Sequence, residues 1–127
     1  MRRTVRVSGA ASVATVWRRY AQTSAWSTWA PQIRSVEAEA ELREGMRGYV
    51  VPVLGPRVAF VVEAVDNRSH SWRWRVRVGP VRIRLWHTVR ACTRTGTEAE
   101  LHIEGAALIV MAYAPLARCA LLRLVAD

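Results

Sequence analysis

The stretch HSWRWRVRV (residues 70–78), followed by Gly79-Pro80 and VRIRLWHTVRA (residues 81–91), decides the fold. Trp72, Trp74, Val76 and Val78 alternate with Ser71, Arg73, Arg75 and Arg77. After the Gly-Pro turn, Val81, Ile83, Leu85, His87, Val89 and Ala91 alternate with Arg82, Arg84, Trp86, Thr88 and Arg90. A period of two sends successive side chains to opposite faces of a strand, so this segment predicts a hairpin with one oily face and one charged face.

Working outward, turn signals recur at Gly45, Gly48, Gly55-Pro56, Asp66-Asn67 and Thr95-Gly96. The segments between them, 46–54, 57–65 and 97–104, predict further strands of an antiparallel meander that begins near Ile33. Towards the N-terminus, Val5 and Val7 mark a short strand over residues 4–8. Ser12 is placed to cap a helix whose stripe is Val13, Val16, Trp17 and Tyr20, ending near Gln22. Thr23 or Ser24 is placed to cap a second, shorter helix carrying Trp26 and Trp29 on one face, and Pro31 stops it.

After Gly105 a long apolar segment predicts a helix from about Leu108 or from Pro115. Helical wrapping gathers Ile109, Tyr113, Leu116, Ala120 and Leu124 on one side, the face expected to cover the sheet. Pro115, Arg118 and Arg123 interrupt the segment, so a core helix is expected and no stable membrane insertion. The whole chain, 1–127, reads as one α+β domain.

Composition narrows the function classes. With 51% hydrophobic and 23% charged residues the chain is too apolar for a disordered protein. All 19 basic residues are arginine, and the net charge is +9. These arginines alternate along strands, as a solvated sheet face does, so nucleic acid is not the expected partner. An acidic carrier protein or an anionic substrate is what such a face would attract. Cys92 and Cys119, far apart and outside any ligand spacing, fit a reducing cytoplasm and buried apolar positions. Residues 1–8 lack the apolar run of a signal peptide, which also favours a cytoplasmic protein.

In this order of elements, the Trp26-Ser27-Thr28-Trp29-Ala30-Pro31 segment, Gly45, Asp66 before a Trp-bearing strand, Leu85-Trp86-His87-Thr88-Val89, Gly96-Thr97 and the segment from Gly105 to Leu116 resemble the SRPBCC superfamily. These are the START-related polyketide cyclase/dehydrase and lipid-transfer domains. The resemblance runs over essentially the whole chain. It implies a helix-grip fold, in which a curved antiparallel sheet of about seven strands wraps around the C-terminal helix, with two short helices after the first strand. It also implies a cavity for lipids, hormones or polyketides, and in some members cyclisation, aromatisation or dehydration.

The resemblance transfers no catalytic residue, so the site is argued from the residues. His87 lies in the apolar phase between Leu85 and Val89, where an imidazole must find a hydrogen-bond partner or a ligand. It is the candidate acid or base; the competing reading is a structural histidine. Trp72 and Trp74 are candidate stacking surfaces for a flat ligand, with core packing as the alternative. Leu85, Tyr49, Tyr113 and Trp29 complete the candidate substrate contacts, although Trp26 and Trp29 read first as anchors of the short helix. No metal site and no cofactor is expected. The leading expectation is a polyketide cyclase- or dehydratase-like enzyme acting on an apolar small molecule. The alternative is a non-catalytic carrier or sensor of lipid-like ligands.

Overall fold

The computed structural model describes residues 1–92 and 96–127. In chain order the elements are β1 (Arg2–Gly9), α1 (Val13–Ala21), a 3-10 turn (Thr23–Ala25), α2 (Trp26–Trp29), β2 (Ile33–Glu37), β3 (Arg47–Pro52), β4 (Val58–Asp66), β5 (Ser71–Val78), β6 (Val81–Cys92), β7 (Gly96–Gly105) and α3 (Ala107–Leu124). The strands form one antiparallel sheet in the order β1-β7-β6-β5-β4-β3-β2. Each strand from β2 to β7 pairs with its sequence neighbour, and β1 closes the far edge on β7, so the α+β meander read from the sequence is the observed sheet. The Thr95-Gly96 turn lies partly outside the described residues.

Parity holds where one face is oily. Trp72, Trp74, Leu85, His87 and Val89 are buried, as are Ala99, Leu101 and Ile103 of β7, while the arginines between them point away. α1 begins as its sequence dictates: the Ser12 hydroxyl accepts from the Thr15 amide at 3.1 Å. The second cap is different. Thr23 is buried, and its hydroxyl donates to the Glu39 carbonyl at 2.8 Å instead of capping α2. A 3-10 turn takes the place of that cap, and the indole nitrogens do the securing. Trp26 donates to the Tyr20 carbonyl at 2.8 Å and Trp29 to the Arg19 carbonyl at 3.2 Å, satisfying groups near the end of α1.

α3 starts at Ala107, and Pro115 sits inside it on the exposed side. Its buried stripe is Val110, Ala114, Ala117, Leu121 and Leu124, with Ala120. Of the expected face, Ala120 and Leu124 are buried and Ile109 and Tyr113 half-buried; Leu116 alone is exposed, with Ala117 buried beside it. Apart from Arg118 and Arg123 the outer side of the helix is apolar too, so periodicity fixes its rotation only loosely. By length and composition it could cross a membrane, yet its buried side lies on the sheet. Cys119 is exposed on α3 and Cys92 is half-buried, so burial is not what the two cysteines share.

The ends of the chain are tied together. Arg19 donates to the Leu124 and Ala126 carbonyls at 2.6 and 2.7 Å, placing a cation at the negative end of α3. At Gly9 a Cβ would stand 2.2 Å from the Val125 carbonyl oxygen, so only glycine lets β1 approach the end of α3. Gly9→Ala is expected to cost about 1–3 kcal/mol in urea unfolding, the usual range for overpacking a tight site. A midpoint equal to that of the parent would show that this contact relaxes freely.

Candidate functional site

Between the oily face of the sheet and α3 lies a cavity of about 130 Å³. Trp72 and Trp74 of β5, Leu85 and His87 of β6, and Leu101 of β7 form its floor. Trp26 and Trp29 close one side, and Tyr113, Ala117, Ala120 and Leu121 of α3 form the roof. The half-buried lining residues Gln32, Pro52, Val58, Val76, Ile83 and Tyr113 mark a rim at the end nearest the β3–β4 and β5–β6 connections. The deep end, around His87, is filled by rings.

His87 is held on both nitrogens. The Trp74 indole donates to Nε2 at 2.9 Å, and Nδ1 lies 2.9 Å from the Tyr20 hydroxyl. An indole can only donate, so Nε2 carries no proton; the neutral ring is protonated on Nδ1 and donates to Tyr20. The Trp72 ring stacks on the imidazole at 4.5 Å and 10°. Burial pushes the His87 pKa down to about 3, so the ring is neutral throughout the physiological range. Burial likewise raises the Tyr20 hydroxyl well above its ordinary range, with Tyr113 adding to the shift.

The aromatic wall is continuous. Trp26 lies 5.6 Å from Trp72, 5.3 Å from Trp74 and 5.7 Å from Phe60. Two polar atoms in this lining have no hydrogen-bond partner among the described residues: the Gln32 side-chain oxygen and the Trp72 indole N–H. Tyr113 is raised by burial, opposed by a hydrogen bond with the Gln32 side chain.

The chain matches the family model described as polyketide cyclase / dehydrase and lipid transport over residues 2–125. It belongs to that family. Among curated protein sequences nothing matches. A solved structure of a Nitrosospira multiformis protein superposes with a TM-score of 0.79 at 17% identity, covering 98% of this chain and 94% of the other. That likeness shows the shared fold.

Within this member of the family, the structure gathers Trp29, Trp72, Trp74, Leu85, His87 and Tyr113 around one cavity. It leaves Tyr49 out. Tyr49 stands on the opposite face of the sheet, 41% exposed, with the Arg57 guanidinium 4.4 Å from its ring centre. Val50 is the inward neighbour. In the run Tyr49-Val50-Val51 every residue is apolar enough to face inward, so alternation could not choose between the two phases. Sequence reasoning also missed Trp26, Gln32 and Ala117 as lining. For Trp26 the signal was present, since residues three apart on a short helix share a face; Gln32 and Ala117 carried none.

Proposed function

We propose that this chain binds a compact apolar molecule, about one aromatic ring in size, and holds it out of water without transforming it. The observation that carries this reading is the cavity of about 130 Å³ walled by four tryptophans. An engineered apolar cavity of about 150 Å³ takes benzene, whereas drug-sized ligands occupy about 300–1,000 Å³. A folded polyketide of several rings exceeds this cavity. The family's lipid-transport description supports retention and hand-over of an apolar ligand.

Against a proton-transfer role for His87 stand its two hydrogen bonds and its acid-side pKa. A general base works best with a pKa near the working pH, and Nε2 becomes available only if the Trp74 bond breaks. The imidazole serves instead to fix Trp74 and Tyr20, so that the cavity floor keeps its shape.

Iodobenzene provides the test, because it is of the right size and quenches tryptophan emission on contact. Saturable quenching is expected in the parent protein. Ala117→Leu adds three carbons at the roof, so binding should fall by about tenfold or more while thermal stability holds or rises. Equal binding by the two proteins would overturn the reading. So would turnover of an aromatic metabolite that His87→Gln abolishes without loss of ligand binding.

A further inference from the structure

The opposite face of the sheet carries another concavity, a groove of about 410 Å³ over β3 to β6, rimmed by Arg47, Arg75, Arg77 and Arg82. We infer that this groove is an anion site for a small molecule bearing a diphosphate. Its arginines lie on the face of the sheet opposite the cavity, and Val76 borders both.

The charge arrangement is the reason. In the β5–β6 ladder Arg77 stands directly opposite Arg82, and Arg75 opposite Arg84. Like charges in facing positions destabilise a sheet, and two such pairs lie side by side. Glu104, opposite Arg84 in the β6–β7 ladder, pairs with Arg2, and Glu63 is already shared by Arg73, Arg75 and Arg84 at 3.1–3.4 Å. Among the described residues no carboxylate pairs with Arg47, Arg77 or Arg82. All three are exposed, so the groove presents three uncompensated guanidiniums and one compensated one.

Spacing favours one compact anion. Adjacent strands lie about 4.8 Å apart and alternate residues about 6.8 Å along a strand. Arg77 and Arg82 face each other, Arg75 is two positions from Arg77, and Arg47 lies two strands from Arg75 through Val61. The four Cα positions therefore fall within roughly three strand widths, too short a track for the phosphate rail of a duplex. Guanidinium forks bind phosphate oxygens in pairs. Of the four groove arginines Glu63 reaches only Arg75, whereas a diphosphate engages them together.

The test is calorimetric titration of the whole chain with inorganic pyrophosphate at constant ionic strength, beside orthophosphate, citrate and a single-stranded oligonucleotide. Pyrophosphate is expected to bind best. Arg77→Gln/Arg82→Gln should weaken it by about tenfold or more, while Arg118→Gln on α3 leaves it unchanged. The double variant should also unfold at a temperature no lower than the parent, because a like-charge contact has gone. Citrate or the oligonucleotide binding as tightly as pyrophosphate would overturn the inference, the first pointing to an acidic protein partner and the second to nucleic acid. Indifference to the double substitution would overturn it as well.

Discussion

His87→Leu is expected to lose about 2–6 kcal/mol of stability in urea unfolding, although leucine fills nearly the same space. The loss comes from the groups left behind. The Trp74 indole N–H and the Tyr20 hydroxyl are both buried against His87, and a buried polar group stripped of its partner costs about 1–3 kcal/mol. Adding Tyr20→Phe to His87→Leu removes one of the two orphans, so the double variant should recover part of the loss instead of adding to it. A His87→Leu protein as stable as the parent would mean that the triad contributes nothing to the fold.

Acid should destabilise the parent through the same residue. The folded pKa of about 3 lies below the ordinary histidine value of about 6.5, so the unfolded chain takes up a proton that the native chain refuses. The full stability is present above pH 6.5. It then falls by about 1.4 kcal/mol per pH unit, reaching about 2 kcal/mol lost at pH 5 and about 4 near pH 3. Glu39, Asp66 and Glu100 also have lowered pKa values, so protonating them opposes folding too, but only below the ordinary carboxylate range. The window between pH 6.5 and 5 therefore isolates the histidine. In His87→Gln, measured by urea unfolding at several pH values, the slope over that window should be shallower by the one proton His87 excludes. An unchanged slope would mean that the native protein protonates His87 without cost.

What could be read from the sequence follows from which faces were chemically distinct. In β5 and β6 arginine alternates with tryptophan, valine and leucine, so a one-residue slip would bury charge, and the inward position of His87 follows from parity. Its partners were less legible. Trp74 belongs to the neighbouring strand, but Tyr20 reaches His87 from α1, sixty-seven residues away, and that contact exists only once α1 packs across the sheet. The register shift between Val62 and Ala64 was equally hidden. It lets both Val62 and Val65 pair with inward tryptophans while Glu63 turns to the arginines, yet a run of valines and alanines gives no sign of a bulge. On α3 only Leu116 of the expected face lies outward, because Leu108, Met111, Leu116 and Leu122 on the outer side are as apolar as the residues it buries.

The same limit applied to the candidate site. Trp72 and Trp74 could be placed on the cavity face from alternation alone, but the volume left between them and α3 depends on Ala117 and Ala120 being small. Substituting larger residues there would turn the cavity into ordinary core without disturbing any pattern a sequence shows. Ligand size is thus set by two alanines on α3, of which the sequence pattern placed Ala120 inward and gave no sign of Ala117.

Retention of an apolar ligand by this chain is decided by where that ligand goes. A crystal of the protein soaked in iodobenzene should show the iodine as a single strong anomalous peak between the rings of Trp72 and Trp74 and the Ala117 methyl, with His87 still bonded to Trp74 and Tyr20. An empty cavity at saturating iodobenzene, or iodine found only on the outer side of α3, would contradict it.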